Sequence, residues 1–247
     1  MARSLLRSID ARTIKFSGLY AFVSLRSVLP NYCSNPWETI WIDPDRIEWS
    51  HKSRPVHGTA ESEIGFDPYL DVGRIAGGAW DRSVTTKFER MPKYRAVSEH
   101  FNEGVPWEET ELFDQLIDLI DERGSFDGCR TPDDLRHRYQ RIDQLYERLR
   151  SGYRSREELC GRFDFHCLID TPKVHIGRDG RLIHAGGSGY HRIAIASVLE
   201  KNIEVHVVVR HEEWVKKRAQ IQTSLTPSGV PEGLRPYVDH PDVDTRW

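Results

Sequence analysis

The stretch VHIGRDGRLIHAGGSGYHRIAIASVLEKNIEVHVVVRHEEW, residues 174–214, reads without a break as hairpin, glycine-rich loop, buried helix, strand and helix. Val174 to Ile176 and Leu182 to His184 are β-prone runs around Arg178-Asp179-Gly180-Arg181, and an Asp-Gly pair between such runs favours a hairpin. Ala185-Gly186-Gly187-Ser188-Gly189 then precedes Tyr190 to Glu200, a run apolar on most of its faces, which predicts a buried helix. A loop without bulky side chains at a helix N-terminus points free backbone N–H groups and the positive end of the helix dipole at one spot. That arrangement suits an anion such as phosphate. His191 and Arg192 fall in the first turn, where an imidazole and a guanidinium add charged hydrogen bonds to the same oxyanion. Gly186, Gly187, Ser188, Gly189, His191 and Arg192 are therefore the candidate phosphate-binding residues. A plain strand-to-helix turn is the alternative, and His191 serves equally well as a packing histidine.

Upstream, Asp71 to Trp80 (DVGRIAGGAW) has the small residues of a tight backbone passage, with Gly77-Gly78 as a turn or a close approach to a ligand. Arg74, Asp81 and Arg82 flank that pair. Arg74 joins the phosphate set, and a carboxylate at Asp81 or at Asp43 is placed to hold Mg²⁺ on a nucleotide or to deprotonate a hydroxyl acceptor. A salt bridge or a helix cap is the competing role. Trp80 and Trp107 read as core, with stacking on a base as the alternative. His206, His211 and Glu212 flank the last strand; His206 alternates with Val205 and Val207 and so faces the other side of the sheet.

The rest of the chain frames this core. A first strand is expected within Thr39 to Trp49, and the polar segment 50–71 reads as loop. Lys93 to Phe101, Trp107 to Glu122, and a run opened by Thr131-Pro132-Asp133-Asp134 and ended by Gly152 carry apolar residues at helical spacing. Ser155 has the capping-box spacing of a short fourth helix. Residues 92–160 thus form a helical insertion in a domain spanning 39–222. An N-terminal helical segment (1–38) precedes it, and an extended, proline-containing tail (223–247) wraps the domain or stays mobile.

With 247 residues the chain is long enough for a full core, and 35 Lys+Arg against 38 Asp+Glu leave a net charge of -3, without the basic excess of most nucleic-acid binders. The arginines between Arg136 and Arg156 interleave with acids, as on a salt-bridged helix face. Cys33, Cys129, Cys160 and Cys167 show no C-x-x-C spacing, so neither a zinc ribbon nor a disulfide framework is indicated and no metal ligands are assigned. Charges at Arg7, Asp10, Arg12, Lys15 and Arg26 interrupt the N-terminal apolar residues, so neither a membrane span nor a signal peptide is expected; the expected location is cytoplasmic.

GYHRIAIA (Gly189 to Ala196) after a DG turn resembles the ParB/sulfiredoxin superfamily (the ParB-like nuclease-domain fold), whose members carry a G-x-[HR]-R-x-x-A-like box. Trp41-Ile42-Asp43-Pro44-Asp45-Arg46-Ile47 is similar to the strand that opens such domains, and Ile203 to Val209 to their closing strand. The Gly77-to-Arg82 run, Tyr94 and Gly104 to Thr110 resemble an uncharacterised archaeal and bacterial subgroup. The resemblance implies an α+β fold, a small mixed sheet with the glycine-rich loop before a buried helix. It also implies a nucleotide, ATP or CTP with Mg²⁺, since superfamily members include CTP- and DNA-binding partition proteins, ATP-using sulfiredoxins and free-serine kinases. Sulfiredoxins place a reactive cysteine in this loop, and here Ser188 and its neighbours supply no thiolate, which removes sulfinic acid reduction. The leading expectation is an ATP-dependent phosphotransferase acting on a small hydroxyl-bearing acceptor. Its rivals are a nucleotide-gated partner- or DNA-binding protein and a non-catalytic scaffold. DNA is disfavoured by the acidic balance and by the lack of a helix-turn-helix candidate after the core.

Overall fold

A computed structural model describes residues 11–33, 35–51, 65–83, 86–152, 171–187, 189–224 and 226–243. Its centre is an open, mixed, seven-stranded sheet. The strands are β1 (Thr39–Ile42), β2 (Ile47–Ser50), β3 (Arg74–Ala76), β4 (Thr86–Lys87), β5 (Lys173–Ile176), β6 (Leu182–His184) and β7 (Ile203–His211). They run in the order β1-β7-β5-β6-β2-β4, and β3 pairs with the C-terminal part of β7. The helices are α1 (Ala11–Arg26), α2 (Pro92–Glu103), α3 (Glu111–Arg123), α4 (Pro132–Ser151), α5 (Tyr190–Val198) and α6 (Glu212–Gln222). None of the described helices is long and apolar enough to cross a membrane.

β5 and β6 form an antiparallel hairpin in which Val174 faces His184 and Ile176 faces Leu182. Gly180 takes φ +81° in its turn, and a Cβ there would lie 2.8 Å from the Trp214 ring, so both backbone and packing require glycine. The expected first strand is two strands. Asp43 accepts a hydrogen bond from the Asp45 amide, Pro44 opens a 3₁₀ turn, and the chain re-enters the sheet as β2 beside β6.

α5 is apolar nearly all round because it is covered on two sides. Ile193 and Ala196 pack on the sheet with Val174, Ile176, Val205 and Val207. Ala194 and Ile195 pack into a second core made by α2, α3 and α4 around Val97, Leu116 and Tyr139. These helices start and stop where their capping residues dictate: Thr110 caps α3, Thr131 and Asp134 form a reciprocal capping box on α4, and left-handed Gly104 and Gly124 end α2 and α3. Trp107 begins a separate 3₁₀ turn before α3 rather than the helix itself. The helix expected at Ser155 lies outside the described residues.

β7 is buried along its whole length, flanked by β5 on one side and by β1 and β3 on the other. The tail packs on the domain in two 3₁₀ turns, with Leu234, His240, Asp242 and Val243 buried. Asp242 fastens it: Arg210 donates from Nε at 3.0 Å and Trp214 Nε1 at 2.8 Å, while Glu38 bridges Arg210 (2.7 Å) and Arg218 (2.8 Å). Burial would raise the Asp242 carboxyl's pKa, but the Arg210 guanidinium outweighs it and holds the group below the usual carboxylate range.

Candidate functional site

The 185–189 loop is anchored at its start by the hydrogen bond from Ala185 N–H to the Lys173 carbonyl, 2.9 Å. The Gly186 amide donates to His184 Nδ1 at 3.2 Å. Gly186, Gly187 and Gly189 take φ of +76°, +75° and +102°, a left-handed path that side chains resist. Gly189 occupies the N-cap of α5 and supplies no side-chain cap, and no acidic residue stands in the first turn. A Cβ on Gly189 would fall 2.5 Å from Cα of Pro172, and one on Gly187 would fall 3.2 Å from the Tyr69 hydroxyl. Gly189→Ala is therefore expected to destabilise the fold by roughly 2 kcal/mol or more, from the left-handed φ together with backbone overpacking. A urea unfolding curve unchanged from the parent would contradict this geometry. Ser188 lies outside the described residues.

His191 sits on the first turn of α5 but turns toward the insertion, where its ring meets Tyr139 edge-on with centroids 6.0 Å apart. Its Nε2 is buried and has no hydrogen-bond partner among the described residues. Burial, reinforced by Lys93 and Arg138, pushes its pKa well below the ordinary histidine value. Lys93 and Arg138 both pair with Asp127, at 3.3 and 3.0 Å. His191 is thus a neutral packing histidine, and the charge in the first turn comes from Arg192, which is partly buried.

The carboxylates expected beside the loop lie elsewhere. Asp81 is 1% exposed and is gripped by Arg178, whose backbone N–H and Nε each donate to Oδ2 at 2.9 Å. Burial would raise its pKa, but the Arg178 hydrogen bonds, with His211 nearby, bring it below the usual range. This pair ties residues 77–82 to the tip of the β5–β6 hairpin, whereas the glycine loop leaves the hairpin's open end. Asp43 is exposed and capping its 3₁₀ turn; the neighbouring Asp45 accepts from Ser197, in the last turn of α5. Nine residues of helix, about 13 Å, separate that end from Gly189. Arg74 is committed to Asp71 at 3.0 Å and lies over the Phe66 ring. Gly77 makes room for the Glu212 carboxylate, 2.7 Å from a Cβ placed there, so its close approach serves the chain's own helix α6. Comparison with family models, with curated proteins and with solved structures finds no match.

Beneath the loop lies a polar layer that the motif-based reading passed over. Alternation along β5 sends Val174 and Ile176 toward α5 and Lys173 and His175 to the opposite face. Lys173 is 1% exposed; its ammonium donates to the Thr171 carbonyl at 3.0 Å and lies 4.8 Å from the centre of the Tyr69 ring, the ring whose hydroxyl borders Gly187. His206 of β7 is its register neighbour. His175 Nε2 is 2.9 Å from His51 Nδ1, with the rings stacked and with Phe66 and Trp80 walling the pair. His175 Nδ1 has no partner among the described residues. Burial, then the neighbouring His51 and His184, pushes the His175 pKa well down. Trp80 and Trp107 are core side chains: the first packs against His175, the second stacks on His100 and donates to Asp143 at 2.8 Å. Among the described residues no group of three His, Cys, Asp or Glu side chains could hold a metal. The arginines of α4 pair with acids, Arg136 with Asp133 and Glu108, Arg150 with Glu147, as on a solvated face.

Proposed function

We propose that this chain binds a nucleotide or another phosphate-bearing ligand at the N-terminus of α5, in the manner of the ParB/sulfiredoxin-like proteins it resembles. One observation carries the reading. Three glycines hold a left-handed path into a helix whose first turn, among the described residues, has neither a side-chain cap nor an acid, an arrangement that suits an anion on its amides. Arg192 in that turn and the buried Lys173 ammonium behind Tyr69 add positive charge. Any Mg²⁺ would ride chiefly on the ligand's phosphates, as is usual for that ion. Phosphoryl transfer to a small hydroxyl acceptor extends the proposal, but Asp81 and Asp43 are committed to Arg178 and to a turn amide. Activation of an acceptor falls to another group.

The test is a thermal-shift series with ATP, CTP, GTP, ADP and inorganic phosphate, with and without Mg²⁺. A nucleotide present at about a hundredfold over its Kd stabilises the fold by about 2.7 kcal/mol, a shift of several degrees. Arg192→Ala is expected to remove the shift while the protein stays folded. Absence of a shift with every nucleotide, or an unchanged shift in Arg192→Ala, would sink the assignment.

A further inference from the structure

A cleft of about 710 Å³ opens between β2, the turn of the β5–β6 hairpin and the tail, at the other end of the hairpin from the glycine loop. Its apolar lining is Leu182 with Trp49, Pro236 and Tyr237. Most of the charge around it is already neutralised: Arg181 holds Asp179 at 2.6 Å, and Lys87 holds Glu48 at 3.3 Å. His240 uses both ring nitrogens, since Nδ1 accepts from the Asp242 amide and Nε2–H therefore donates to the Gly180 carbonyl. Two charges are left over. Arg46, leaving the turn after β1, and Asp239, on the tail, are exposed, and among the described residues neither side chain makes a hydrogen bond or an ion pair, with each other or with anything else.

A cleft with an apolar patch among neutralised ion pairs, one uncommitted guanidinium and one uncommitted carboxylate is complementary to a zwitterion whose charges are set apart. We infer that this cleft binds a short apolar peptide with free termini, of two or three residues, its carboxylate on Arg46, its ammonium on Asp239 and its side chains on Trp49, Pro236 and Tyr237. The guanidinium fork matches a carboxylate in two parallel hydrogen bonds. Two or three extended residues span about 7–10 Å, which suits charges that do not pair across the cleft. The volume lies within the range of sites for ligands of this size.

Equilibrium dialysis of the full chain with radiolabelled Leu-Leu tests this, with competition by N-acetyl-Leu-Leu, by Leu-Leu amide and by free leucine. Saturable binding of Leu-Leu is expected below about 1 mM. Each capped dipeptide, and leucine itself, should compete at least tenfold more weakly. Arg46→Ala should erase the distinction between Leu-Leu and its amide, and Asp239→Asn the distinction between Leu-Leu and its acetylated form; both side chains are exposed, so the fold is retained. No saturable binding, capped peptides that compete as well as Leu-Leu, or leucine that competes equally well would each overturn the inference.

Discussion

The stability of this protein is expected to fall steeply with acid from about pH 6.5 downward. His175 is neutral in the fold because burial, with His51 and His184 beside it, depresses its pKa, whereas in the unfolded chain it titrates near 6.5. Above that pH it is neutral in both states and contributes no slope. Below it, the unfolded chain takes up a proton that the fold refuses, so stability declines by up to about 1.4 kcal/mol per pH unit for this one residue. His191, held neutral by burial near Lys93 and Arg138, and His240, whose pKa burial lowers to about 4, act in the same direction. Asp81 and Asp242 carry the opposite kind of group in a lower window: their depressed carboxyl pKa values withdraw stability only as pH falls below the unfolded value near 3.8. Urea midpoints measured from pH 8 to 4.5 should be level at the alkaline end and then drop. His175→Leu should flatten part of the drop whatever it does to stability at pH 8. Midpoints that stay level to pH 5 would show that the buried histidines are not neutral as described.

Removing the Asp242 carboxylate is expected to be the most damaging single polar substitution. Asp242→Ala leaves Arg210, 1% exposed, without its buried partner and strips the acceptor from Trp214 Nε1. Breaking a buried pair from one side costs about 3–5 kcal/mol. The lower end applies here, because Glu38 still faces Arg210 at 2.7 Å. The paired change Arg210→Met with Asp242→Leu should recover much of the loss, since it removes both charges instead of stranding one. Guanidinium unfolding of the parent and the two variants separates these outcomes; a single variant as stable as the parent would mean that the tail is not fastened by this pair.

Local chemistry was legible in the chain, and distant pairing was not. The Asp179-Gly180 hairpin, the Thr131 cap and the glycine stops of α2 and α3 depend on residues a few positions apart, and periodicity reports them directly. Asp43-Pro44 was visible too, but a cap followed by proline breaks a strand, and here it divides one expected strand into β1 and β2. The role of Asp81 was hidden because Arg178 lies 97 residues away, and His51 reaches His175 across 124. Lys173 and His175 left a faint trace, polar residues two apart in a β-prone run, which strand alternation places on one face. The path of the tail had no local signature, since Asp242 acquires its meaning only from Arg210 and Trp214.

The position of β7 also bears on the order in which the molecule is made. Among the described residues β1 pairs with β7 alone, and the Thr39 hydroxyl and the Glu204 carboxylate that close that edge are 165 residues apart. A ribosome adding roughly 5–20 residues per second needs on the order of ten seconds or more to cover that interval. Throughout it the Thr39–Ile42 segment, with Ile40, Trp41 and Ile42, has no strand to join. The insertion core of α2, α3 and α4, built from near neighbours, is free to gather first. On this order of events the nascent chain carries an early helical core and an apolar strand segment that waits for β7 to be made.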